Sequence, residues 1–188
     1  MPKCNFTKAM RYRSITTDKD HVMFQSLLRA SLGIALATGL STSVLADAHA
    51  TPLLTISGDS VEADSETLML DRDALSALPE TTFETSTIWT DGVHSFTGVS
   101  LADLMVELGV VDGTLVATAI NDYAVEIPIS DAVEGGPIVA YLMDGEEMTV
   151  RDKGPLWIVY PYDSDAAYRS EVIYSRSIWQ LDRLEIIQ

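Results

Sequence analysis

Phe96-Thr97-Gly98-Val99-Ser100-Leu101-Ala102-Asp103-Leu104-Met105 is the stretch that decides the fold. Its first half reads as the end of a strand over residues 94–99, and its second half as the start of a helix. Ser100 is a favoured N-cap, because its side-chain oxygen can accept from an unsatisfied N–H of the first turn. Asp103 stands three residues on, a weaker form of the Ser-x-x-Glu capping box. Leu101, Leu104, Met105 and Leu108 recur at helical spacing, and Gly109 supplies the stop.

Working outward, residues 53–57 read as a short strand ended by Gly58, and residues 67–70 as another. Asp71 caps a short helix through Leu78, halted by Pro79. Residues 83–89 are rich in Thr and aromatics and read as a strand. The Asp91-Gly92 turn signal joins them to the 94–99 strand as a hairpin. Downstream, strands are expected over 115–120 and 123–129, joined through Asn121-Asp122. Two more, 138–143 and 147–150, flank Asp144-Gly145. Residues 156–160 form an apolar strand between Pro155 and Pro161, followed by a polar loop over 162–170. Residues 177–180 and 184–187 finish the sheet. Many short strands with about two short helices predict an α+β domain of mixed sheets. There is no internal repeat, so 47–188 reads as one domain.

Residues 1–46 read as a signal peptide. Residues 23–29 carry one positive charge, and 30–44 are a small-residue apolar run, short for a bilayer span. Val44-Leu45-Ala46 and Ala48-His49-Ala50 both fit a small-x-Ala cleavage site; cleavage is expected after Ala46, with Ala50 second. Met10 and Met23 are alternative first residues, and an uncleaved anchor is the competing reading. The expected product is soluble and periplasmic. The whole chain has a net charge of −16. Removing Asp18 and Asp20 with six basic residues leaves six basic against 26 acidic side chains, a net charge of −20. Such a surface repels nucleic acid and anionic membranes. The acid-rich segment 59–73 is a candidate for partner contact, against the plainer reading of a solvated face. There is no Gly-x-Ser-x-Gly elbow, no His-Glu-x-x-His and no phosphate loop, so no hydrolase is expected.

Four stretches and a tail, in order, resemble the sulfite-oxidase-type molybdopterin-binding fold. They are residues 96–104, residues 121–128, Ala140-Tyr141-Leu142-Met143-Asp144-Gly145-Glu146, Lys153-Gly154-Pro155-Leu156-Trp157 and its continuation to Pro161, and Arg176-Ser177-Ile178-Trp179. The resemblance implies a molybdenum held by a cysteine thiolate shortly before the Gly-Val-x-Leu stretch. Here that region reads Thr85-Ser86-Thr87-Ile88-Trp89-Thr90, and the one cysteine of the chain is Cys4. A hydroxyl replaces a soft thiolate poorly on molybdenum. Exported carriers of that cofactor also leave the cytoplasm folded, behind a twin-arginine signal, and the prefix has no Arg-Arg pair. The chain is similar instead to small, cysteine-less periplasmic pterin-binding sensors. That resemblance implies a reduced pterin as ligand, without molybdenum cofactor. It also implies, as partner, the periplasmic domain of an inner-membrane cyclic-di-GMP signalling receptor. The alternatives are a molybdopterin-dependent oxidoreductase with unusual ligation and a ligand-free interaction subunit of a redox complex.

A pterin ring is flat, with a donor-rich edge and a ring carbonyl. A binder needs an aromatic face, a carboxylate for the edge and a donor for the carbonyl. The expected ligand-binding residues are Trp89, Asp122, Tyr162, Arg169, Arg176 and Trp179, with no catalytic residue and no metal ligand. Stacking is assigned to Trp179, with Trp89 or Tyr162 opposite, and polar contacts to Arg176 and Asp122. Each has a plainer reading: Arg176 could pair with a surface carboxylate, and Asp122 could be only a turn residue. Trp157, alternating with Val159, reads as core, and His94 as structural. Five basic residues, Arg151, Lys153, Arg169, Arg176 and Arg183, follow position 150 and are expected to line one region.

Overall fold

Alternating apolar residues divide the strands between two sheets. The computed structural model describes residues 51–58 and 67–188. The expected signal peptide, both cleavage sites and residues 59–66 of the acidic segment lie outside the described residues. The first sheet is built from β1 (Leu54–Gly58), β2 (Thr67–Leu70), β5 (Thr114–Ala119), β6 (Ala124–Pro128) and β10 (Leu181–Ile187), in the order β2-β1-β10-β5-β6. β1 and β10 run parallel, and the other neighbours are antiparallel. Leu54, Ile56, Leu115, Ala117, Leu184 and Ile186 turn inward and are buried. Thr55, Thr118, Arg183 and Glu185, at intervening positions, are partly or fully exposed, as a two-residue period requires.

The second sheet has the order β3-β4-β7-β8, with β9 also paired to β7. Its strands are β3 (Glu80–Ser86), β4 (Val93–Ser100), β7 (Ile138–Met143), β8 (Glu146–Glu147) and β9 (Trp157–Val159). Residues 138–141 of β7 are all buried, so that strand reads as a continuous apolar run. Three helices accompany the sheets among the described residues: α1 (Arg72–Ser76), α2 (Leu101–Leu108) and α3 (Glu171–Arg176). The α+β class with mixed sheets of short strands is therefore observed.

The strand-to-helix junction forms where the sequence puts it. Ser100 Oγ accepts from the Asp103 N–H and donates to the Asp103 carboxylate, both at 2.9 Å. Leu101 and Leu104 are buried, and Gly109 ends α2 at φ 69°. Gly98 is needed for a different reason. The β4–β7 register shifts between Thr97 and Gly98, and a Cβ at Gly98 would run into the Val139 carbonyl oxygen.

Several expected boundaries move. β3 covers 80–86 rather than 83–89. Thr87 Oγ1 accepts from the N–H groups of Trp89 (3.1 Å) and Thr90 (3.0 Å), which folds the chain into a turn. α1 stops at Ser76. β8 has two residues, Glu146 and Glu147, where a strand over 147–150 was expected, and Val150 opens a 3₁₀ turn through Asp152. Residues 177–180 make one isolated bridge, Trp157 to Trp179, instead of a strand. Gln180 adopts φ 55°, and this left-handed residue breaks the extended run before β10. The third helix, α3, fills residues 171–176, for which no element was expected, between the expected loop over 162–170 and the expected strand over 177–180. Ser170 Oγ accepts from Ile173 N and caps it.

Gly98→Ala is expected to lower stability by more than Ser100→Ala, whose lost cap costs about 1 kcal/mol. Urea denaturation of the two variants beside the parent measures the order. Equal midpoints would mean that β4 and β7 can separate enough to admit a Cβ.

Candidate functional site

Trp89 sits at the tip of the β3–β4 turn, and four other aromatic rings meet it edge-on. Its centroid lies 5.5 Å from Trp179, 5.8 Å from Tyr174, 5.9 Å from Trp157 and 6.2 Å from Tyr162. Interplanar angles of 66° to 84° place edges against faces, which the ring quadrupoles favour. Beside this cluster opens a cavity of about 460 Å³. Tyr174, Ser175, Ser177, Ile178, Trp179 and Gln180, from α3 and the segment after it, form one wall. Ala119, Asn121 and Tyr123, from the β5–β6 turn, form the other, and Trp89 closes a side.

Hydrogen bonds fix this geometry from behind. Trp157, fully buried, donates Nε1–H to the Ser177 carbonyl at 3.2 Å. Tyr162 donates its O–H to Ser177 Oγ at 2.6 Å, and Ser177 Oγ donates to the Ile173 carbonyl at 2.8 Å. Burial pushes the Tyr162 phenol up to about 12, so it stays a donor. The turn that carries Trp89 is tied down on its β3 side by Asp163. The carboxylate accepts from Ser86 N at 2.6 Å and Ser86 Oγ at 2.9 Å.

The polar groups that remain available to a ligand are uncharged. Asn121 Oδ1 accepts from Tyr123 N at 3.2 Å, which leaves the amide NH₂ to donate. Gln180 Nε2 donates to the Val150 carbonyl at 2.7 Å, which leaves its carbonyl oxygen to accept. The indole N–H groups of Trp89 and Trp179 have no acceptor among the described residues. Among the described residues, no Asp, Glu, Lys, Arg or His lines the cavity.

The structure brings together some of the sequence-predicted residues and separates others. Trp89 and Trp179 line the cavity, and Trp179 keeps 37% of its surface exposed. Tyr162 is buried behind Trp89, where its ring supports the cluster rather than facing the cavity. Arg176 donates to Asp131 Oδ2 at 2.9 Å, and Tyr160 donates its O–H to the same oxygen at 2.8 Å. Asp122, at φ 64°, accepts from Arg183 Nη2 at 2.6 Å. It lines a second cleft of about 450 Å³ on the outer face of the first sheet. Arg169 is exposed, and its charge bears on Asp163. Asp122, Arg169 and Arg176 are thus absent from the aromatic cavity, because carboxylates of this acidic chain engage the cations elsewhere. Sequence reasoning missed Asn121, Tyr123, Tyr174 and Gln180. Asn121 and Tyr123 lie inside the quoted stretch 121–128, and Tyr174 and Gln180 flank the quoted tail, but none has a charge or spacing that marks it.

No cluster of three or more His, Cys, Asp or Glu that could hold a metal occurs among the described residues. In the stretch 85–90, the region where the resemblance implies a thiolate, Thr85 is buried and its hydroxyl is engaged in hydrogen bonds. Thr85 Oγ1 accepts from Asp163 N at 3.1 Å and donates to the Ser86 carbonyl.

The sequence profile of the oxidoreductase molybdopterin binding domain matches residues 71–167, just over half of the chain. The match takes in Trp89 and Tyr162 and ends before α3 and Trp179. No curated protein matches the chain.

Trp157→Ala is expected to cost about 3–5 kcal/mol of stability, as a large buried ring does. Trp179→Ala should leave the melting curve close to the parent's. Arg176→Ala should destabilise by about 1–2 kcal/mol through the loss of a charge-assisted bond to Asp131. Thermal unfolding of the three variants checks the order; a Trp179→Ala loss as large as that of Trp157→Ala would make Trp179 a core residue.

Proposed function

Because the chain belongs to the oxidoreductase molybdopterin binding domain family, we propose that it keeps the family's pterin-holding shape and binds a free reduced pterin without molybdenum. The observation that carries this reading is the chemistry of the cavity walls. Two indoles and two phenols supply faces for a flat heterocycle. The Asn121 amide offers a donor for a ring carbonyl, and the Gln180 carbonyl offers an acceptor for a ring amino group. An uncharged wall suits an uncharged ring.

The family's metal cofactor does not fit these residues. The chain's one cysteine, Cys4, lies outside the matched span. The hydroxyl that stands in the corresponding strand, Thr85, is buried in bonds to its neighbours. The cofactor also carries a phosphate, and none of the described residues that line the cavity is a cation, the Lys153 ammonium standing 6.0 Å from the Trp179 ring centre. No chemical step is therefore assigned to a metal here, and the domain is read as a binding protein rather than an enzyme.

In this reading the ligand-bound protein acts after export to the periplasm. There it presents its state to the periplasmic domain of an inner-membrane cyclic-di-GMP signalling receptor. The resemblance of the Arg176-Ser177-Ile178-Trp179-Gln180 tail and the signal-like prefix support this role. An acidic surface that avoids anionic membranes is consistent with it.

The test is mass spectrometry and fluorescence on the small molecules released when protein expressed with its own prefix is denatured. A fluorescent pterin without molybdenum is expected; molybdopterin with stoichiometric metal would make the protein an oxidoreductase instead. Trp179→Ala should weaken pterin binding at least tenfold, the equivalent of about 1–3 kcal/mol of lost stacking and burial. Unchanged affinity would remove Trp179 from the site.

A further inference from the structure

The turn over residues 87–92 brings Trp89 to the aromatic cavity, and both of its flanks are fastened by carboxylates. Asp163 holds Ser86 before the turn. After the turn, His94 Nδ1 lies 2.6 Å from Asp144 Oδ2, and Nε2 lies 3.0 Å from the Asp91 carbonyl. Asp144 is itself fixed, since its Oδ1 accepts from Ser95 N at 2.9 Å and its own N–H donates to the Ser95 carbonyl at 2.7 Å. A carbonyl oxygen only accepts, and so does an ionised carboxylate. The His94 ring can satisfy both partners only when both nitrogens carry a proton.

We propose that His94 is the positioning residue of the cavity. As an imidazolium it ties the Asp91 carbonyl to Asp144 and so holds Trp89 against Trp179; on losing a proton it releases one end of that tie and loosens the turn. The consequence for ligand affinity rests on the pterin reading, whereas the tie itself does not.

The surroundings of the ring are simple. From the β7–β8 turn it faces the Asp144 carboxylate, the one charge that acts on it. On β3 its register partner is the uncharged Thr85. On its own strand the Phe96 ring lies 6.4 Å away. No Lys or Arg pairs with Asp144 among the described residues. The hydrogen bond to Asp144 raises His94 above its ordinary value of 6.5, and Asp144's charge and the Asp91 carbonyl add to it, against a smaller opposing effect of burial. A raised folded value means that the tie's stability is complete below 6.5 and is lost as pH climbs through the raised value. Asp163, on the other flank, has the opposite sign. The Ser86 N–H, then the Ser86 hydroxyl, hold it below its ordinary 3.8, so its clamp is complete above 3.8 and fails as pH falls through the lowered value. The turn is doubly held between roughly pH 4 and 6.5 and singly held on the alkaline side.

The experiment follows the Trp89 indole N–H and the His94 ring by NMR in ligand-free protein from pH 5.5 to 9. It is paired with fluorescence titrations of 7,8-dihydroneopterin over the same range. The Trp89 resonance should move with the His94 titration, and affinity should fall about two- to tenfold from pH 6 to pH 9, the equivalent of one hydrogen bond. His94→Gln should flatten both profiles, and Asp144→Asn should shift both transitions to lower pH. A Trp89 resonance that ignores the His94 titration, or an unchanged pH profile in both variants, overturns the proposal. If the resonance tracks His94 while dihydroneopterin fails to bind at every pH, the tie stands and the pterin reading falls.

Discussion

Everything around the cavity hangs on the backbone and hydroxyl of Ser177. Its carbonyl accepts from the Trp157 indole N–H, and its hydroxyl accepts from the Tyr162 phenol and donates to the Ile173 carbonyl. All three partners lie in or beside the buried interior, where an unmet polar group would cost about 1–3 kcal/mol. The three bonds therefore determine where α3 ends and which way the chain leaves it. Next, Ile158 N donates to the Ile178 carbonyl at 2.9 Å, which bridges this segment to β9 in the second sheet. Gln180 then turns through φ 55°, and Leu181 enters β10 in the first sheet. Trp179 sits between these two anchors, so its ring is aimed at the cavity by backbone bonds it does not itself make. A joint built in this way separates the buried rings of Trp157 and Tyr162 from the partly exposed ring of Trp179, which faces the cavity.

The same division governs the charges. In so acidic a chain, a cation is drawn to a carboxylate before it can line a neutral cavity. Arg72 reaches Glu147 at 3.4 Å and the Tyr141 carbonyl, Arg176 reaches Asp131, and Arg183 reaches both Asp122 and Asp182. Lys153 has no carboxylate partner among the described residues. Its ammonium lies 5.7 Å and 6.0 Å from the ring centres of Trp157 and Trp179. There it draws on the ring faces instead. The five basic residues after position 150 are close in sequence but not in surroundings, since α3 and β10 send them to different faces. Charge was the feature most visible in the sequence, and it led to Arg176 and Arg183, which pair with carboxylates, while Lys153 lies over the ring of Trp179.

What could be read from the sequence follows the same physics. The junction at Ser100 was legible because cap, apolar spacing and terminal glycine agree within one short window. The hairpin at Asp144-Gly145 was legible because both residues adopt the left-handed conformation that such turns require, φ 54° and 80°. α3 was not legible. It has six residues, fewer than two turns, and Val172, Ile173 and Tyr174 favour a strand by themselves. Its helix exists because Ser170 caps one end and Ser177 is bonded at the other, and neither bond can be known before the fold. The turn at Trp89 was hidden for a related reason. Thr87 fits a strand by propensity, yet its hydroxyl captures two backbone N–H groups and bends the chain. Among the expected ligand residues, the structure places Trp89 and Trp179 at the cavity and Asp122, Arg169 and Arg176 outside it, because pairing partners are a tertiary property.

Two clefts of nearly the same volume, about 450 and 460 Å³, compete for a functional role, and size does not separate them. The outer cleft is floored by the solvent face of a sheet. Its side chains are mainly hydroxyls, together with the Arg183–Asp122 pair and Glu185. Hydroxyls and paired ions on an open sheet are already served by water, so a ligand gains little by replacing it. The inner cavity differs in kind. Its indoles cannot be satisfied by water on their faces, and the bonds behind them hold the rings in place before any ligand arrives. Preorganised aromatic faces reduce the entropy lost on binding. The cavity whose rings the fold's hydrogen bonds hold in place is thus the better suited of the two to a flat ligand.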